Sequence, residues 1–242
     1  MKSASPIWAI LPIKSLGDAK QRLCNILSPD ERRELMLVSA RDVMSALSRS
    51  SRLSGILLVS RDRTALELGR EYGVQQLIVN SDDGQSDAIN QAVEFLRKKG
   101  VTATLTIPGD APLVMARDID VVCNTLESGP SLTIVSNSDG TGSNCIAASP
   151  PNLIPYRFGR NSFARHVSSA RAAGVEPTVL TLPRFELDID TESDIAALMN
   201  HRPRTATQRF LVASGIGLRC SAPRPCPPLQ VGHPPELAVV NR

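Results

Sequence analysis

Between residues 7 and 200 the chain alternates short, apolar, β-rich runs with segments of helical periodicity. That alternation constrains the fold more than any other feature. Ile7-Trp8-Ala9-Ile10-Leu11 is a compact apolar run, suited to a strand covered on both faces. Gly55-Ile56-Leu57-Leu58-Val59-Ser60 reads as a second strand and Leu77-Ile78-Val79 as a short third; 102–107 and 131–136 follow. Ser28-Pro29-Asp30-Glu31 opens a helix: Ser28 caps, Pro29 fits the first helical position and Glu31 completes a capping box. Met36, Ala40, Val43, Met44 and Leu47 share one face of that helix. Further helices are predicted over 86–99, 162–173 and 191–199. Ile146-Ala147-Ala148 and Thr178-Val179-Leu180-Thr181-Leu182 read as strands of a second, smaller sheet. The fold class is therefore α/β, a three-layer sandwich around a mostly parallel sheet with a small second sheet.

Residues 1–201 are expected to form one domain. Beyond His201 the character changes. Residues 202–242 carry six arginines against one acid, Glu236, and seven of the 18 prolines lie in 203–235. We expect a basic, proline-rich, poorly ordered tail, with Phe210-Leu211-Val212-Ala213-Ser214-Gly215-Ile216 able to dock as a short strand or helical turn. The net charge of +3 then reflects the tail, not a polyanion-binding face. Aromatics at 3% argue against a platform for stacking nucleic-acid bases. The five cysteines show no metal-ligand spacing, and no apolar stretch reaches the length of a membrane span. A cytoplasmic location is expected, with no nucleic acid and no membrane as partner.

Two acidic clusters, far apart in sequence, follow β-rich runs. One is Asp110 in Pro108-Gly109-Asp110-Ala111-Pro112-Leu113; the other is Asp188-Ile189-Asp190-Thr191. Strand ends converge on one crevice in such a sheet. Three carboxylates meeting there suit a hard divalent cation such as Mg²⁺, which in turn suggests nucleotide phosphates. The loop after the first strand adds Lys14, Lys20 and Arg22, a natural triphosphate cradle. It matches neither the Walker pattern nor GxGxxG. Asp139-Gly140-Thr141-Gly142-Ser143-Asn144 and Phe158-Gly159-Arg160-Asn161-Ser162 are two candidate anion loops. Together they suggest an anionic second substrate.

These segments, with Pro12-Ile13-Lys14, Ala19-Lys20-Gln21-Arg22-Leu23 and Ile89-Asn90-Gln91-Ala92, resemble the phospholactate guanylyltransferase family (CofC/FbiD) of coenzyme F(420) biosynthesis. The resemblance covers about 7–199. It implies a GT-A-like nucleotidyltransferase fold in which a phosphorylated carboxylic acid attacks the α-phosphate of GTP and pyrophosphate leaves. By matched position, Asp110, Asp188 and Asp190 hold Mg²⁺. Lys14, Lys20, Arg22, Asn90, Pro108 and Gly109 bind GTP, with Asn90 near the guanosine, and Thr141, Gly159 and Ser162 bind the acid's phosphate. Asp110, Asp188, Asp190 and Lys20 are the catalytic set. Ser143 and Cys145 stand where threonine and a small apolar residue are common in the family. That change slightly favours 3-phospho-D-glycerate over 2-phospho-L-lactate or phosphoenolpyruvate. A homodimer, and hand-off of product to the next pathway enzyme, are compatible with this reading. The alternatives are a nucleotidyltransferase acting on a sugar phosphate or pterin cofactor, and a non-catalytic nucleotide-binding regulator.

Overall fold

The computed structural model describes residues 6–79, 84–126, 129–137, 139–202 and 204–221. Along the chain come β1 (Ile7–Pro12), α1 (Pro29–Ser48), β2 (Leu53–Ser60), α2 (Arg63–Glu71), β3 (Gln75–Ile78), α3 (Gln85–Lys98), β4 (Ala103–Thr106) and α4 (Ala116–Asn124). They are followed by β5 (Ser131–Ser136), β6 (Ser143–Ser149), α5 (Ser162–Ala172), β7 (Thr178–Leu180), α6 (Pro183–Glu186), α7 (Glu192–Met199), α8 (Ala206–Ala213) and α9 (Ile216–Ser221).

The strands form one seven-stranded sheet in the order β3-β2-β1-β4-β6-β5-β7. β1 pairs in parallel with both β2 and β4, and β2 in parallel with β3. Only β6 runs the other way: it is antiparallel to β4 and β5, while β7 is parallel to β5. This corrects the expected second sheet. The runs around Ile146 and Val179 are real strands, but both extend the main sheet. A three-residue strand carries no record in its own sequence of which edge it joins.

Side-chain alternation builds the layers. Ile7, Ala9 and Leu11 face the core that contains Met36, Ala40, Val43 and Met44 of α1. Ile10 faces the opposite core with Leu57, Ile89, Val93 and Leu96, so β1 is covered on both sides. Trp8 lies flat over Gly55 of β2; a Cβ added there would come within 2.6 Å of its ring. α1 begins as its sequence implies. Ser28 Oγ accepts from the Glu31 N–H and Glu31 accepts from the Ser28 N–H. α2, unanticipated from sequence, starts at Asp62, which accepts from the N–H groups of Thr64 and Ala65. The same carboxylate accepts from the Leu16 N–H at 2.9 Å and so ties the loop after β1 to the end of β2.

The domain does not stop at 201. α8 and α9 pack into a third core with α7, placing Leu211, Ile216 and Cys220 beside Leu23, Leu27, Leu35, Ile195 and Leu198. Thr205 and Gln208 form a capping box at the start of α8, and both Asp42 carboxylate oxygens accept from its first turn. The expectation of a poorly ordered tail from 202 is therefore corrected for 204–221. The apolar stripe of these helices is short and flanked by arginine and proline, so composition hid it. Residues 203 and 222–242, which hold all seven of those prolines, lie outside the described residues, as do 1–5. Among the described residues no helix is long and apolar enough to cross a membrane.

Leu211 is fully buried in the third core. Leu211→Ala is expected to destabilise the protein by about 2–5 kcal/mol, read from denaturant unfolding. A change near zero would show that α8 is not docked.

Candidate active site

The parallel strands β1, β2 and β4 end at one edge of the sheet, and antiparallel β6 begins there. The loops that carry Lys14 to Arg22, Ser60-Arg61, Pro108 to Asp110 and Gly142-Ser143 are therefore neighbours. Between them lies a cavity of about 390 Å³ lined by, among others, Lys14, Lys20, Ser60, Gly84, Gln85, Pro108, Gly109, Asp110 and Asp190. The size is that of a small-molecule site. Gly109 packs closely: a Cβ there would lie 3.1 Å from Met36 Cε, so the methionine tip would have to shift by a few tenths of an ångström to admit one.

At one end of the cavity, Lys20 Nζ donates to Asp110 Oδ2 at 2.5 Å and to Asp190 Oδ1 at 3.1 Å. Its side chain is only 4% exposed. Burial alone would lower the ammonium pKa, but the carboxylates of Asp110 and then Asp190 outweigh it and raise it. Lys20 also adopts the left-handed backbone conformation, φ 55°, costing roughly 1–2 kcal/mol for a residue with a Cβ. Exposed Arg22 approaches Asp190 at 3.7 Å. The Ile189 N–H donates to the Asp110 carbonyl, fastening the two acidic segments together.

Asp188 is the strained member. Burial first, and then the Asp110 carboxylate, push its pKa up to about 6. The site thus holds more negative charge than its lysine neutralises. Among the described residues, however, no three His, Cys, Asp or Glu side chains close on a common point. The expected carboxylate triad is assembled along one edge, not gathered around a single centre, because the Lys20 ammonium lies between Asp110 and Asp190.

Thr141, Gly159 and Ser162 are also brought together. The Phe163 N–H donates to the Thr141 carbonyl and the Ser162 N–H to the Gly159 carbonyl. Gly159 has φ 102°, a conformation that favours glycine. Several of their polar groups already have protein partners. Asp139 Oδ1 accepts from both the N–H and the hydroxyl of Thr141. Ser162 Oγ, buried, accepts from the Ser143 N–H at 3.0 Å.

Asn90 is not a lining residue of the cavity. Its amide nitrogen donates to the Tyr156 carbonyl and its oxygen accepts from the Tyr156 N–H. One turn earlier in α3, Ser86 Oγ accepts from the Phe158 N–H. Asn90, expected near the guanosine, thus has both ends of its amide engaged by Tyr156 and holds the segment leading to Gly159. In its stead Ser60, Gly84, Gln85 and Ala88 line the cavity.

His166 of α5 belongs to the same corner, beside Ser143. It is fully buried. Its Nε2 accepts from the Arg157 N–H, so the ring proton sits on Nδ1 and is directed at Ser143 Oγ, 3.0 Å away. Burial and then Arg165 push its pKa down to about 4, so it is neutral. Cys145, the other residue thought to face the acid, is fully buried in the core under β6.

Comparison with known proteins decides the family. Residues 7–224 match the guanylyl transferase CofC-like family. The chain belongs to it. A protein of Roseiflexus castenholzii named phosphoenolpyruvate guanylyltransferase is 33% identical over 86% of this chain and 97% of its own length. A Methanobrevibacter ruminantium protein named 2-phospho-L-lactate guanylyltransferase is 26% identical over 89% and 94%. Among solved structures, a Methanothermobacter nucleotidyl transferase superposes with TM-score 0.60 at 18% identity, covering 86% of this chain and 99% of that one. A Leptospira borgpetersenii cytidylyltransferase gives 0.56 at 12%, covering 89% and 96%. This CofC-like chain is thus a nucleotidyltransferase-type enzyme with the GT-A-like α/β fold.

The raised pKa of Asp188 has a consequence for stability. Unfolded, the carboxyl titrates near 3.8; folded, near 6. Between those values the folded state binds more protons, so this group's contribution to stability falls as pH rises and stays low above about pH 6. In metal-free buffer Asp188→Asn is expected to melt higher than wild type at about pH 7–8. The gap should close below about pH 4. Melting curves across that range test this; a lower melting temperature for the variant at neutral pH would contradict it.

Proposed function

We propose that this CofC-like chain transfers the GMP moiety of GTP to phosphoenolpyruvate or a closely related phosphorylated three-carbon acid, releasing pyrophosphate, in coenzyme F(420) biosynthesis. The observation that carries the reading is the buried Lys20 bridged to Asp110 and Asp190 at the mouth of a nucleotide-sized cavity. Lys14 and Lys20 supply positive charge to a triphosphate lying along that cavity. Pro108 and Gly109 form its wall, and the absence of a Cβ at Gly109 leaves room beside Met36. Asp110, Asp188 and Asp190 would hold Mg²⁺: the donors are hard oxygens, and Asp188 shows that their negative charge is under-neutralised. The bound ion would neutralise developing charge on the transferring phosphoryl group.

What the chain itself contributes is position and charge. The Lys20 ammonium, kept protonated by its carboxylates, faces the region where negative charge builds as pyrophosphate departs. Thr141, Gly159 and Ser162 form the corner where the acid's phosphate would sit. Its arrival would displace the Asp139 carboxylate from the Thr141 donors, one anion replacing another.

The names of the relatives favour phosphoenolpyruvate or 2-phospho-L-lactate as the acid. Ser143 and Cys145 are the residues whose size and polarity would favour 3-phospho-D-glycerate. The Ser143 hydroxyl is engaged by His166 and Cys145 is buried in the core, so neither offers a polar wall.

Pyrophosphate release, measured with each nucleoside triphosphate against a panel of phosphorylated acids, tests the reading. GTP with phosphoenolpyruvate should give the highest specificity constant. Asp190→Asn should lower turnover by about a hundredfold or more. Equal specificity constants for GTP and ATP would overturn guanylyl transfer.

A further inference from the structure

A second cavity, of about 530 Å³, lies on the other side of the 108–116 segment, between α1, α4 and α8. Six arginines line it: Arg49, Arg117, Arg184, Arg202, Arg204 and Arg209. His201 is there too. They come from four separate stretches of chain, so no single basic run accounts for them. The sequence showed only the arginines after 201, as part of a basic tail. Docking of α8 brings them opposite Arg49 and Arg117.

The charge is largely uncompensated. Asp42 lines the cavity, but both its oxygens accept from Ala206 and Thr207. Asp118 pairs with Arg184 at 3.0 Å. Among the described residues no carboxylate pairs with the other five arginines. Neutral acceptors orient two of them: Arg209 donates to the Arg204 carbonyl and Arg49 to Ser45 Oγ. Like charges held around one concavity repel and leave a strong positive field until an anion enters.

We propose that this cavity is a second anion site, built for a multiply phosphorylated small molecule. Guanidinium groups present paired N–H donors that match phosphate oxygens. The volume falls in the small-molecule range. Ala46, Pro112, Leu113 and Val114 give it an apolar floor for the body of such a molecule. Among the described residues no Phe, Tyr or Trp lines it, so recognition is of phosphate groups more than of a stacked base. This inference does not depend on the substrate of the first cavity.

Calorimetric titration of the full chain with sodium tripolyphosphate, at about 0.15 M salt so that diffuse attraction is screened, tests it. Wild type should show a binding event that Arg117→Ser/Arg204→Ser weakens by about tenfold or more. Lys14→Ser, in the first cavity, should leave that event unchanged. Three results would each overturn the proposal. They are no binding at this ionic strength, equal binding by the double arginine variant, and loss of all binding in Lys14→Ser. A deca-glutamate peptide that binds more tightly than tripolyphosphate, in an arginine-dependent way, would also overturn it in favour of an acidic protein partner.

Discussion

The burial of β1 on both faces is the constraint from which the remaining architecture follows. With α1 against one side and α3 against the other, its neighbours β2 and β4 run parallel to it, and such pairs return through helices. Parallel strands end at a common edge. The loops that follow β1, β2 and β4 therefore meet whatever their sequence, and Asp110 and Asp190, 90 and 170 positions along the chain from Lys20, can both reach it.

That lysine sets the electrostatics of the edge. A non-glycine residue in the left-handed region is uncommon, and here the strain places a buried ammonium between two carboxylates. The arrangement is satisfied for Asp110 and Asp190 but not for Asp188, whose charge is opposed by burial and by its neighbours. Such a mismatch between carboxylates is unhelpful to stability, and it suits the proposed uptake of a cation together with a polyanionic nucleotide.

A different economy governs the corner around Gly159. Its polar groups are nearly all satisfied within the protein: Asn90 and Ser86 of α3 hold 156–158, His166 holds Arg157 and Ser143, and Ser162 holds Ser143. The neutral state of His166 fits this role, because a charged imidazole would lose the acceptor that receives the Arg157 N–H. The network gives one rigid shape to a loop that contains two residues with positive φ, Gly159 and Asn161.

The sequence by itself determined the strands, the start of α1 and which carboxylates lie at the edge. The capping box at Ser28, the apolar run of β1 and the carboxylates at 110, 188 and 190 were legible because each is a local signal, written within a few residues. Whatever depended on a partner far along the chain was not legible. The sequence did not show that β6 and β7 join the main sheet, that Asn90 clamps Tyr156 instead of facing the cavity, or that Lys20 lies between Asp110 and Asp190. Nor did it show that the arginines after 201 belong to a docked helix pair. The physical reason is the same in each case. Hydrogen-bond partners, burial and the field of neighbouring charges are properties of the packed chain, and only tertiary structure decides them.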